Sequence, residues 1–349
     1  MSVIFRHIEA PLFIKIEPNC LQHIREILAE QHLNFERPLV IASQRVLELG
    51  GKLALQDFHE EAIFIPQDNS LAEAQKIIAS LKNNDVIISI GGGKVLDLGK
   101  YVATKTKLNY ISIPSTPSND GIASPIAVLK NSRGETESIG VNMPMGILVD
   151  LNLLKSAPEE NIKAGVGDLI SNYSAIADWQ LAHQDKKEKI DDFAVSLASS
   201  AADLIFSQYN INKKINIKDA KFLRTLVNGL ILSGIAMNIA GSSRPCSGSE
   251  HEISHAIDKL YPGTSQHGIQ VACGTIIAEK FRGHDVEHLE NFYRDIGLPI
   301  NYQELNLTEK QMVEILKFAP QTRPDRYTIL EKLNLSDEQI KKFIHEISN

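Results

Sequence analysis

Asp85-Val-Ile-Ile-Ser-Ile-Gly-Gly-Gly-Lys-Val-Leu-Asp97 is an apolar run that ends in three glycines and continues into helix-forming sequence. An apolar run without polar alternation fits a strand covered on both faces, the habit of parallel sheets. Glycines placed after it leave backbone free of side chains, where the amides of a helix N-terminus can approach a pyrophosphate. The pattern is neither G-x-G-x-x-G nor a P-loop, so on local grounds a tight strand-to-helix turn without a ligand stays open beside the nucleotide reading.

Outward from this stretch the same rhythm repeats. Short β-branched runs at Leu39 to Ala42 and Ala62 to Ile65 are followed by helical patterns to about Leu55 and over Ser70 to Lys82, and further strands are expected at Tyr110 to Ile113 and Met145 to Val149. After Asp150 the β pattern largely disappears, and helical periodicity runs over Leu169 to Ala182, Asp191 to Tyr209, Ala220 to Ala240 and Gln270 to Arg282. The expectation is an α/β N-terminal nucleotide-binding domain with a parallel sheet over residues 1–150, then an all-α metal- and substrate-binding domain over 151–349. A chain of 349 residues normally splits in this way, with a cleft between the parts.

Composition narrows the classes. A hydrophobic fraction of 43%, a charged fraction of 23% and no evident run of about 18 apolar residues fit a soluble chain without a membrane span. A net charge of -7 without a concentrated basic surface speaks against nucleic acid as a partner. Cys20, Cys246 and Cys273 show no C-x-x-C spacing, and Met1 to Glu9 lacks the layout of an export signal, so a cytoplasmic setting is expected.

Two further constellations carry chemistry. The loop Pro114 to Ser124 holds the hydroxyls of Ser115, Thr116, Ser118 and Ser124 with Asn119 and Asp120, either to line a site or to stabilise its own turn. In the helical half, Gly165-Val-Gly-Asp168 reads as the start of one helix, and Ser247-Gly-Ser-Glu-His251-Glu-Ile-Ser-His255 as the start of another, with His267 following. Asp168, His251 and His267 would give a divalent ion one carboxylate and two imidazoles, leaving a position for substrate. Any one of these histidines alone reads more readily as a cap or a bonded core residue, and His284, His288 and His345 lie among charges and read as solvated. His251-Glu-Ile-Ser-His255 also matches H-E-x-x-H, but the nucleotide-like sheet and the missing downstream glutamate helix argue against a zinc protease.

From about Leu39 to His284 the chain resembles the glycerol-1-phosphate dehydrogenase family, within the group of glycerol dehydrogenase, iron-containing alcohol dehydrogenases and dehydroquinate synthase. Gly91 to Asp97, Ser118 to Pro125, Gly167 to Asn172 and Ser243-Arg-Pro-Cys-Ser-Gly-Ser-Glu-His251 carry the resemblance. It implies NAD or NADP at Gly91, Gly92, Gly93, Lys94, Val95, Asp97, Ser115, Thr116, Ser118 and Ser124, and zinc, ahead of iron or nickel, at Asp168, His251 and His267. It also implies Asp120 and His255 as catalytic groups, which with Asp168 meet a small phosphorylated polyol, in a homo-oligomer of two or more copies active in phospholipid synthesis. The reaction so implied is reversible reduction of dihydroxyacetone phosphate to sn-glycerol 1-phosphate, with unphosphorylated polyol dehydrogenation and then cyclase chemistry as alternatives. Departures from the family pattern stand at Thr116-Pro117, Asn119 and Val166. Arg244, just ahead of the metal helix, is the candidate by position for the substrate phosphate.

Overall fold

The computed structural model describes residues 8–48, 62–207, 209 and 215–348. The helical pattern expected up to Leu55 lies partly outside these residues. The chain divides into two compact units, one of Met1–Pro158 with Lys218–Asn238, the other of Glu159–Ile217 with Ile239–Asn349.

The first unit is built on six parallel strands in the order β1-β8-β5-β4-β2-β3. These are β1 (Phe13–Glu17), β2 (Pro38–Ala42), β3 (Ile63–Phe64), β4 (Val86–Gly91), β5 (Asn109–Pro114) and β8 (Gly146–Asp150). β2, β4 and β8 are buried along their whole length, which is why they read as unbroken apolar runs. Alternate residues serve the two faces. Leu39, Ile41 and Ile87 pack with Ala74, Ile77, Leu98 and Val102 of helices Leu71–Ser80 and Gly93–Thr106, whereas Val40, Ile88, Ile90 and Ile113 pack with Ile24, Ile27 and Leu28 of helix Ile24–Glu30.

Two strand elements escaped the sequence reading. β1 is a five-residue edge strand, and β6 (Ile126–Lys130) with β7 (Thr136–Gly140) forms a separate antiparallel hairpin. Both are short and partly exposed, so their period-two pattern is brief; only Ala127 and Leu129 of β6 reach the core.

Helix Leu151–Lys155 and residues 220–238 group with the sheet, although the sequence reading placed them in the helical half. Helix Ala220–Ala240 is long and apolar enough to cross a membrane by length and composition, which the sequence reading overlooked; 56% of that apolar window is buried inside the fold. Its apolarity serves packing, with Leu223, Leu226, Val227 and Leu230 buried.

The second unit is helical. Its core gathers Ile253, Ile257, Ile277, Met312, Ile315 and Ile344 from helices Ser249–Leu260, His267–Phe281, Glu309–Phe318 and Asp337–Ser348. The pattern expected over Leu169 to Ala182 breaks at Ser171, between helices Glu159–Ile170 and Asn172–Gln184.

Candidate metal centre and nucleotide turn

Three helices of the second unit each bring one group to the same place. Asp168 lies near the end of helix Glu159–Ile170, His251 in the first turn of Ser249–Leu260, and His267 opens His267–Phe281. Asp168 therefore does not begin a helix as expected. Gly165 and Gly167 are interior, and what they permit is close packing: a Cβ on Gly167 would run into the Gly268 carbonyl, and one on Gly268 into the Ala164 carbonyl. Backbone-to-backbone approach there sets Asp168 against His267.

The ligand atoms of Asp168, His251 and His267 all fall within 4.8 Å of one another. Asp168 Oδ1 is 3.7 Å from His251 Nε2 and 3.8 Å from His267 Nε2. Both imidazoles are oriented from behind. Glu250, fully buried, sits 2.8 Å from His251 Nδ1 through Oε1. Burial pushes the Glu250 carboxyl up, but the bonds from His251 and the Gly248 amide outweigh it and hold it below the usual range. An ionised carboxylate only accepts, so Nδ1 of His251 carries the hydrogen and Nε2 keeps its lone pair. At His267, Ser254 Oγ donates to Gln270 Oε1 at 2.7 Å and so can accept from Nδ1 at 3.0 Å. Burial, with the nearby charge of Arg323, pushes the His267 imidazole down to about 3, keeping it neutral as ligation requires. Two nitrogens and one oxygen, each with its lone pair inward, fit a divalent ion such as zinc.

The helix bearing His251 is itself fixed at its start. Asp178 Oδ2 accepts from the Ser249 amide at 2.7 Å and from its hydroxyl at 2.6 Å, while Arg282 pairs with Oδ1 at 2.5 Å. His255, one turn on, stays outside the triad; its ring centroid is 6.3 Å from that of His251 and 6.0 Å from that of His267. Burial, then the charge of Arg323, hold it well below its ordinary value. A neutral ring offers one donor and one acceptor.

Arg244, the candidate by position for the substrate phosphate, is held at Nε and Nη2, while its buried Nη1 has no hydrogen-bond partner. Its guanidinium donates to Glu188 from Nε at 2.6 Å and from Nη2 at 2.5 Å, and Nη2 also reaches the Tyr327 carbonyl at 2.9 Å.

In the first unit the glycine turn stands at the carboxyl end of β4, beside β2, where the connections leave in opposite directions; this is the switch point at which open sheets receive ligands. Gly92 caps helix Gly93–Thr106, and a Cβ on Gly92 would come within 3.3 Å of Thr116 Oγ1. Thr116 Oγ1 is buried without a hydrogen-bond partner, and Ser115 donates its amide to Gly91 at 2.8 Å, holding this loop over the turn. An orphaned hydroxyl above a bare backbone cradle fits a nucleotide phosphate.

The other expected cofactor residues are placed differently. Gly93 and Ser118 are half-buried and Lys94 is exposed. Val95 belongs to the core, and Asp97 pairs with the fully buried Lys100 at 2.9 Å while accepting from the Val128 amide at 3.1 Å. Lys100 Nζ also meets the carbonyls of Ser124 and Ile126, so Asp97 and Ser124 help tie the helix to the hairpin. Asp120 leads a short turn, Asp120–Ile122, whose N-cap Asn119 accepts from the Gly121 amide at 2.9 Å.

Residues 15–158 match the model of the iron-containing alcohol dehydrogenase family. The chain is 37% identical to a glycerol-1-phosphate dehydrogenase (NAD(P)+) of Hyperthermus butylicus over 340 residues, covering 96% of each chain. It is 35% identical to one of Archaeoglobus fulgidus, covering 98% of each. Among solved structures, a probable glycerol dehydrogenase from Sinorhizobium meliloti shares the fold with a TM-score of 0.76 at 20% identity, covering 98% of both chains.

Proposed function

The chain belongs to the glycerol-1-phosphate dehydrogenase family, and we propose that it uses NAD(P) and zinc for the reversible reduction of dihydroxyacetone phosphate to sn-glycerol 1-phosphate. The observation that carries the metal reading is the triad Asp168, His251 and His267, with both Nδ1 atoms engaged from behind and both Nε2 atoms facing Asp168. When bound, the nicotinamide gives or takes the hydride, and a divalent ion gives Lewis acidity toward the substrate's C2 oxygen.

The chain's own part is to bind, orient and handle a proton. Gly92, Gly93 and the unpartnered Thr116 hydroxyl receive the cofactor phosphates. Asp120 and His255 are assigned to the substrate. A neutral His255 can accept the proton of a substrate hydroxyl at one ring nitrogen while donating from the other, the capacity a proton relay needs. Cys20, Cys246 and Cys273 are buried and none of them forms a disulfide, which supports a reducing, cytoplasmic setting.

The test is oxidation of NADH and of NADPH with dihydroxyacetone phosphate, before and after chelation and after zinc is returned, with glycerol plus NAD as the comparison. Reduction of the phosphate that is lost on chelation and restored by zinc is the expected result. Bound zinc and nucleotide with no turnover of dihydroxyacetone phosphate would overturn the reading.

A further inference from the structure

Two guanidinium groups of the second unit meet at one hydroxyl beside the start of the metal helix, and a third, that of Arg244, is near enough to repel one of them. Arg326 donates from Nη2 to Ser243 Oγ at 2.8 Å, and Arg323 donates from Nη1 to the same oxygen at 3.4 Å. Arg244 is the next residue in the chain. Arg326 also donates from Nη1 to the carbonyl of Ser247, four residues before His251. Thr322 Oγ1 reaches the carbonyl of Glu252, the residue after His251, at 3.4 Å, so the stretch carrying both arginines is fastened along the first turn of the metal helix.

Asp325 and Glu252 act on Arg323 and Arg326 from beyond ion-pair distance, so the charges in this cluster are not matched by direct pairing. Arg244 is bonded to Glu188, but Arg323 and Arg326, both half-buried, form no ion pair among the described residues. Two donors are also unanswered: Ser247 Oγ and Arg244 Nη1 have no hydrogen-bond partner, in residues only 4% and 3% exposed. Burial, with repulsion from Arg323 and Arg244, pushes the Arg326 guanidinium down to about 10. Crowding like charges and leaving donors unpaired away from water is unfavourable, and an anion would relieve both. Guanidinium forks fit phosphate oxygens in particular, two bonds at a time.

We propose that Arg323, Arg326 and Ser247 form a phosphate subsite that takes the phosphomonoester end of the substrate and sets the preference for phosphorylated over free three-carbon ketols. The substrate's identity rests on the oxidoreductase reading above; the anion site rests on the arginine cluster alone. Arg244, whose Nε and Nη2 are committed to Glu188 and Tyr327, flanks the subsite with only Nη1 left over.

The test uses inorganic phosphate as the probe, titrated calorimetrically into the full chain as purified and after chelation, so that phosphate held by a metal is separated from phosphate held by protein. Phosphate is expected to bind both forms of the wild type, and at least about tenfold more weakly to the double variant Arg323→Gln/Arg326→Gln, the loss expected for charge-assisted bonds. The ratio of kcat/KM for dihydroxyacetone phosphate over that for dihydroxyacetone is expected to fall by a similar or larger factor in the variant. If the double variant does not fold, Arg323→Lys and Arg326→Lys singly keep the charge but lose the fork, and each is expected to bind phosphate several-fold more weakly. Failure of the chelated wild type to bind phosphate, or equal affinity in the variants, overturns the subsite. Phosphate binding that depends on the arginines, without turnover of dihydroxyacetone phosphate, supports the subsite and overturns the oxidoreductase reading instead.

Discussion

At the metal triad, the residue that decides how His251 is presented is its own neighbour. Adjacent residues on a helix do not face one another, so Glu250 beside His251 carries no message in the sequence. In the structure Glu250 Oε1 accepts both from His251 Nδ1 at 2.8 Å and from the Gly248 amide at 2.6 Å, because it lies in the first turn, where amides are still unsatisfied. Replacing Glu250 with Gln keeps the shape and removes the charge that fixes the tautomer. Zinc affinity is expected to fall by about 10- to 100-fold, measured by competition with a chromogenic chelator. An unchanged affinity would show that the ring is oriented without Glu250. Asp168, His251 and His267 were legible by residue type. Arg323 and Arg326 were not, since Gln321-Thr-Arg-Pro-Asp-Arg-Tyr327 reads as a polar connection and nothing in its spacing points to the metal helix. Nor does position in the sequence reveal that Arg244 pairs with Glu188, far back in the chain.

At the scale of elements, the triad depends on how closely helix Glu159–Ile170 lies against helix His267–Phe281. Gly167 and Gly268 sit at that crossing, each where a Cβ would collide with the other helix's backbone. Backbone cannot step aside as a flexible side chain can, so Gly268→Ala should push the helices apart. The expected cost is about 1–3 kcal/mol, the usual range for overpacking, seen as a lower urea midpoint together with weaker zinc binding. Loss of stability without loss of zinc affinity would mean that Asp168 is positioned by something other than this crossing. The sequence showed these glycines but not their use: Gly165-Val-Gly reads as a helix start, and only the facing Gly268 reveals a close contact. By contrast, the strand–glycine–helix passage from Val86 to Thr106 was legible almost to the residue, since a buried parallel strand, a bare turn and a long helix each leave their own mark.

Across the whole molecule, the sheet and the helical half were legible because burial on two faces and burial on one stripe produce different periodicities. The membership of helix Ala220–Ala240 was not, because apolarity says that a helix is buried without saying against what. A property that emerges only at this scale is the response to pH. Burial, aided by repulsion from Glu331 and Asp178, pushes the Glu252 carboxyl up to about 9, and burial also raises Asp178 and Asp258. The unfolded chain releases the Glu252 proton near 4.5, while the native state keeps it until about 9. Between those values the native state binds more protons, so stability should fall as pH rises through this window and level off above it. The slope for one proton is at most about 1.4 kcal/mol per pH unit. A neutral amide at this position neither ionises nor repels Glu331. Glu252→Gln should therefore match the wild type near pH 5 and become progressively more stable than it toward pH 8.5, in urea midpoints taken at fixed zinc. Curves that run parallel across that range would show that Glu252 ionises in the native state at its ordinary pH, with Arg326 answering its charge.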